Sequence, residues 1–194
     1  MSLPVTEHRP EARPAFYYDF AVPEAYLALE GLVGTPGAVP ELVPVRGDRL
    51  PAGGGVESFR CAEEQTIWTD EFARRARGHD IQPLRWPDPF PPDSEKALLI
   101  ATYARGIGKV AAFSLAAFRQ AYAGGRDLAD TETVLIAAAA CEIHPRAVLK
   151  ALEQRSVRAA LDRATGEAAD VRTLPALRIG ERLLEGADVL TAAP

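Results

Sequence analysis

Cysteine is scarce in this chain. Its 194 residues hold only Cys61 and Cys141, far apart and with no His or Cys nearby at zinc-ligand spacing. Two free thiols in a reducing compartment are the simple expectation, and a redox pair is the alternative if the fold brings them together. Positive charge is also short, with 22 Lys and Arg against 27 Asp and Glu and a net charge of −5. That balance argues against a phosphate-binding face, and nucleic acid is not an expected partner. Long apolar runs are missing too. Residues 97–103 and 134–141 fall far below the ~18 residues of a spanning helix and read as core helices, so no membrane partner is expected. The N-terminal stretch lacks the apolar core of a secretory signal, which leaves a cytoplasmic protein as the expectation. Gly53-Gly54-Gly55 has no GK[ST] after it and no strand leading directly into it, so it reads as a disordered loop rather than a phosphate loop. His8, His79 and His144 form no acid/base constellation and read as surface residues, His8 within a flexible tail.

What is present has the composition of an ordinary globular protein, 47% hydrophobic and 25% charged. The length suits one domain with an insertion. Residues 1–14 read as the tail and 15–194 as the domain. A first strand is expected over 15–21, where Phe16, Tyr17, Tyr18 and Phe20 favour β structure. Pro23 suits the first turn of a helix reaching about Gly31. A second strand over 41–46 belongs at an edge because Pro44 cannot donate to a ladder, and 51–55 reads as a flexible loop. Phe59, Ala62, Trp68, Phe72 and Ala76 recur at helical spacing before Gly78. The proline-dense run 84–94 is pushed toward extended, stiff geometry. Helices are then expected over 95–105, from 109 to the Gly124-Gly125 pair, after a cap at Asp130, and over 146–154 and 157–165. The helical insertion thus covers about 57–165. Two short strands, 173–177 and 182–184, meet at a Gly180-Glu181 turn before a last helix near Asp188.

The order β-α-β, helical block, β-β-α is that of a thioredoxin-like domain interrupted by helices. Phe16-Tyr17-Tyr18-Asp19-Phe20 with Pro23 and Tyr26-Leu27, the FPPDS bend, the run FRQAYAGGRDLAD and the closing TLPALRIGERLLEGADVL resemble the DsbA-like group. Within that group the resemblance is strongest to the branch of 2-hydroxychromene-2-carboxylate isomerase and kappa-class glutathione transferase, over about 16–190. It implies an α/β class, a thioredoxin-like fold with an inserted all-helical subdomain, in which homodimers are common.

The resemblance also implies a site. DsbA-like oxidoreductases carry Cys-Pro-x-Cys at the first strand–helix turn, where the helix N-terminus stabilises a thiolate. Aligned on Pro23, those cysteine positions are Val22 and Ala25, so dithiol chemistry there is excluded. The isomerase branch instead places a serine before the proline, against the sulfur of glutathione. Val22 takes that serine's place and removes one charge-assisted hydrogen bond of roughly 1.5–3 kcal/mol. Leu174-Pro175 matches the cis-proline whose preceding residue offers its backbone to a bound peptide or glutathione. Ala187-Asp188 replaces a Ser-Asp pair that holds the γ-glutamyl end; Asp188 reads either as the partner of the ligand's ammonium or as an N-cap. The implied thiol-binding set is therefore Val22, Pro23, Leu174, Pro175, Ala187 and Asp188. For the substrate cleft it is Tyr18, Trp86 and Asp93, where Trp86 also reads as packing and Asp93 as a helix cap. Tyr17, Tyr26 and Tyr103 read as core or rim aromatics.

The leading functional expectation is an isomerase or transferase. It uses glutathione or another low-molecular-weight thiol, and no metal, on a small aromatic or apolar electrophile. The alternative is a non-catalytic ligand- or protein-binding module that has lost the active-site Ser/Cys. A disulfide oxidoreductase working through Cys61 or Cys141 is the third reading, with Cys61 as a replacement thiol near the cleft.

Overall fold

Alternation within Ala15–Tyr18 (β1) puts the rings of Phe16 and Tyr18 wholly inside, with Ala15 and Tyr17 half-exposed. The structure is a computed structural model and describes residues 13–34, 39–79 and 81–192. The expected tail with His8 lies outside the described residues, except for positions 13 and 14. After β1 come Pro23–Gly34 (α1) and Glu41–Pro44 (β2). Six helices follow: Ala62–Ala76 (α2), Glu95–Gly106 (α3), Val110–Tyr122 (α4), Thr131–Ala139 (α5), Pro145–Glu153 (α6) and Arg155–Glu167 (α7). The chain closes with Ala176–Ile179 (β3), Arg182–Glu185 (β4) and Ala187–Ala192 (α8).

The sheet order is β2-β1-β3-β4, with β2 parallel to β1 and both β3 pairings antiparallel. Pro44 ends the edge strand β2, opposite Tyr18, where a missing N–H costs least. Gly180, at φ +58°, opens the two-residue turn between β3 and β4. Asp130 caps α5 by accepting the Glu132 N–H at 3.0 Å. His144, expected merely on the surface, caps α6: its Nδ1 accepts the Arg146 N–H at 3.1 Å. Helix α2 starts three residues after Phe59, which packs its ring on Trp68 and Phe90 instead. The proline-dense run is irregular, with cis peptides before Pro89 and Pro91.

The helical block is fixed to the sheet by aromatic packing. Phe118 of α4 is wholly buried, with ring centres 4.7 Å from Phe20, 5.9 Å from Tyr18 and 5.9 Å from Tyr26. Two neighbouring hydroxyls are paired: Tyr18 with Ser114 of α4 at 2.5 Å, and Tyr122 donating to the Phe20 carbonyl at 2.7 Å. Burial of such hydroxyls without partners is costly, so these two bonds orient α4 as well as bind it.

The loops at the C-terminal end of β1 are tied together by one carboxylate. Asp19 is 2% exposed; its Oδ1 accepts the Ala21 N–H at 2.9 Å and its Oδ2 the Gly47 N–H at 2.8 Å. Gly47 in turn lies backbone to backbone on Gly54, since a Cβ on Gly54 would stand 2.7 Å from the Gly47 oxygen. The Gly54 carbonyl then accepts the Leu174 N–H at 2.9 Å. Pro51–Gly55 is therefore not the disordered loop its glycines suggest. Residues 52–55 all have φ between +59° and +78°, forming an ordered left-handed turn closed by Gly53 N–H to Leu50 and Val56 N–H to Gly53, each at 3.1 Å. Burial pushes the Asp19 carboxyl up from its ordinary value, against the opposing hydrogen bonds from Ala21, Ser94 and Gly47.

Two outcomes follow from this packing. Phe118→Ala should cost about 3–5 kcal/mol in denaturant unfolding, the usual range for a large buried ring; a cost below about 1 kcal/mol would remove it from the seam. For Asp19, the folded carboxyl binds its proton more tightly than the unfolded one. Its contribution to stability therefore falls as pH rises from the ordinary carboxylate range through the raised folded value. Wild type should lose stability relative to Asp19→Asn across that window and run parallel to it above, as measured by urea unfolding of both proteins at matched pH. A pH-independent difference would refute the raised pKa.

Candidate functional site

The β1–α1 turn is built by backbone bonds: Val22 N–H to the Asp19 carbonyl at 3.2 Å and Ala25 N–H to the Val22 carbonyl at 3.0 Å. Pro23 follows as the first helical residue, where it gives up no hydrogen bond. This brings the residue before the proline to the entrance of α1, but Val22 is only 1% exposed and Ala25 wholly buried. Neither side chain can ionise or accept a hydrogen bond. The position at which the resembling proteins carry a cysteine or serine is here a piece of core.

The remaining thiol-set residues are divided between core and surface. Leu174 is 2% exposed, the Leu174–Pro175 peptide is cis, and the Leu174 N–H is engaged by Gly54. The Pro175 carbonyl accepts from Gly186 at 2.8 Å. Ala187 and Asp188 are exposed at the start of α8. Because α8 begins at Ala187, Asp188 sits inside the first turn, so the N-cap reading is corrected; its charge there complements the helix dipole. Of the expected cleft residues, Tyr18 belongs to the core and faces Ser114, which corrects its placement in a cleft. Trp86 packs among Trp68, Phe72, Phe90 and Tyr122. Asp93 is exposed, and its Oδ1 accepts the Glu95 N–H at 3.0 Å.

A cleft of about 420 Å³ does open beside this turn, with Asp19 and Ala21 in its wall. The proline bend also lines it, with Pro89, Pro91, Pro92, Asp93 and Ser94, as do Val56 and Glu57 after the left-handed turn. Its charge is dominated by carboxylates: Asp19, Asp48, Glu57, Asp93 and Glu95 line it with Arg46. Arg46 is held to Asp48 at 3.2 Å, lies 3.9 Å from Glu95, and donates its backbone N–H to Thr165 of α7. The hydrogen bond from Arg158, chiefly, keeps Glu95 below the ordinary carboxylate range, so this acid stays ionised. Such a lining opposes a ligand carrying several carboxylates and suits a neutral or cationic one.

Asp19 and Arg46 were not among the residues singled out from sequence. Asp19 had a local signal, an acid directly after an aromatic strand, able to bond the amide two residues on. Arg46 had none. The cysteines stay apart in role: Cys61 is exposed beside Trp68 and Ile67 in a separate hollow, while Cys141 is buried and donates to the Ala137 carbonyl. Burial raises the Cys141 thiol above its ordinary pKa, with Lys109 opposing, which disfavours the reactive thiolate. His79 is half-buried against the end of α2. Among the described residues no group of three or more His, Cys, Asp or Glu is placed to hold a metal ion, and no helix is long and apolar enough to cross a membrane.

No family model and no curated protein matches the chain. Solved structures do match, over nearly their whole length. A 2-hydroxychromene-2-carboxylate isomerase superposes with a TM-score of 0.77 at 19% identity, covering 92% of this chain and 91% of its own. A probable DsbA oxidoreductase from Streptomyces coelicolor gives 0.70 at 20% identity, with 93% and 86% covered. The cytosolic disulfide reductase DsbM from Pseudomonas aeruginosa, solved with GSH, gives 0.60 at 16% identity, with 88% and 87% covered. This chain therefore has the DsbA-like thioredoxin fold with an inserted helical subdomain, in the form it takes in 2-hydroxychromene-2-carboxylate isomerase.

Proposed function

We propose that the chain is a ligand-binding protein on a DsbA-like fold, holding a small molecule in the cleft beside Asp19 and performing no thiol chemistry at the β1–α1 turn. The observation that carries this reading is the burial of Val22, an aliphatic residue where the resembling proteins present a cysteine or serine. Without that group, a bound thiol keeps only backbone amides and the helix dipole to favour its ionised form. The acidic lining works in the same direction, because it raises the cost of admitting glutathione's carboxylates. A neutral or singly cationic ligand has the better match, with Asp93 and Glu57 as acceptors at the rim.

The thiol-dependent isomerase or transferase remains as a second reading because one structural neighbour was solved with GSH. One residue separates the two. Serine at position 22 would regain a side-chain acceptor at the helix entrance, worth about 1 kcal/mol as a cap, against a similar loss of buried methyl groups. Val22→Ser should therefore stay within about 1 kcal/mol of the parent in stability. With glutathione and a panel of electrophilic aromatics, the parent should show no turnover above the uncatalysed rate, and a gain in Val22→Ser would mark position 22 as the missing element. Turnover by the parent itself would sink the non-catalytic reading and establish the thiol-dependent one. Binding is read separately, by a thermal-shift screen of neutral and cationic small molecules; cationic hits should weaken in Glu57→Gln, and hits indifferent to that change would place the ligand elsewhere.

A further inference from the structure

Helix α2 divides its charge along one face. Its inner side is Thr69, Phe72 and Ala76, all buried, with Trp68 half-buried against Phe72 and Phe90. At about 100° per residue, the opposite face presents Glu63, Glu64, Ile67, Asp70, Glu71 and Arg74, with Arg77 at its margin. Acids thus occupy its first three turns and bases its end. Ile67 stands among them at 66% exposure, the highest of the large apolar side chains among the described residues. Over the acidic part lies a hollow of about 630 Å³, walled by Ile67 and Trp68 and rimmed by Glu63 and Glu64. Arg60, also at its rim, is already paired with Glu64 at 3.2 Å. An apolar wall under surplus negative charge suits a long side chain with an apolar stem and a cationic head, which describes arginine. The same helix carries such side chains. Arg75 is engaged, 5.4 Å over the Phe72 ring and 3.8 Å from Glu24, but Arg74 and Arg77 are exposed and no ion pair among the described residues involves them. Arg74 stands ten positions from Glu64, about 15 Å along the axis, too far to fill the hollow of its own chain.

A surface that carries both a receptor and the group that fits it is suited to a two-fold contact, in which each copy gives what it receives. We propose that this face of α2 docks a second copy of the chain, the two α2 helices running antiparallel about an axis near position 69, with Arg74 of the partner subunit in the hollow beside Glu63 and Glu64. The charges select this arrangement. A parallel pair would set acid on acid and base on base, and an unrelated basic peptide would answer the acidic end while leaving Arg74 and Arg77 unmatched. Asp70 and Glu71, nearest the axis, face like charges across it. The contact is also small, one helix of about 22 Å on another, below the roughly 1,200 Å² of a standard interface. The association is therefore weak and salt-sensitive, and it is independent of any ligand in the cleft beside Asp19.

Sedimentation velocity over protein concentrations from about 10 µM to about 1 mM tests the pairing. The parent should pass from monomer to dimer in that range, and its association should weaken about tenfold when salt is raised from about 0.05 M to about 0.5 M. Two double variants then read the register. Glu63→Arg with Glu64→Arg reverses the acidic end, and Arg74→Glu with Arg77→Glu reverses the basic end. Each alone sets like charge against like and should lose the dimer. Mixed in equal amounts, the two should form a dimer again at the affinity of the parent, because each reversed end meets its reversed counterpart. Unfolding cannot produce such a recovery, and circular dichroism checks that each variant keeps its helices. Ile67→Lys, a single exposed change, should weaken the parent dimer as well. A parent that stays monomeric throughout would overturn the proposal. So would a dimer indifferent to both reversals and to Ile67→Lys, or folded variants whose mixture stays monomeric.

Discussion

The loops around the cleft converge on the two carboxylate oxygens of Asp19. One oxygen shapes the chain as it leaves β1; the other reaches across to Gly47 and sets the height of the segment that follows β2. Everything stacked on Gly47 inherits that height, including the left-handed turn and, through Gly54, the residue before Pro175. A neutral side chain has a single acceptor to offer in that position if it is an amide, and none if it is aliphatic. Burial away from water pushes the Asp19 carboxyl up from its ordinary pKa, and the amide N–H groups of Ala21 and Gly47 oppose that shift.

In this chain the fold is built with aliphatic residues at the turn where the resembling proteins carry a cysteine or serine. Val22 and Ala25 satisfy the packing demands of the turn as well as polar residues would, because those demands are made by the backbone and by Pro23. The aromatic seam of Phe20, Tyr26, Phe118 and Tyr122 joins the inserted helices to the sheet with no help from the nucleophile position. The architecture thus does not depend on a polar residue at position 22 or 25, and one scaffold can acquire several functions under that condition.

Much of this architecture was readable in the chain. Aromatic residues in β1, Pro23 at a helix start, Asp130 as a cap and Gly180 in a hairpin are local signals, and each acts within a few residues of itself. The site was less readable, since its parts meet only in space. Asp19 and Gly47 are 28 positions apart, and Gly54 meets Leu174 across the entire helical insertion. Three consecutive glycines carry no periodicity, so disorder was the natural expectation; their order comes from a distant backbone that no local pattern encodes. Tyr18 misled for a related reason: an aromatic at a strand end fits a cleft or a core equally well, and Ser114, a hydroxyl 96 positions away, decides for the core.

The proline bend gives the cleft a particular kind of wall. Pro89, Pro91 and Pro92 have ring side chains with almost no rotamers to lose, and Ala21, which also lines the cleft, has none. A molecule entering between them therefore orders very little of the protein around itself. Binding commonly surrenders part of the contact energy to the freezing of long side chains, and along the proline bend that loss is small. The same rigidity gives that side of the cleft a fixed shape, against which the charged side chains of Arg46, Glu57 and Glu95 can adjust.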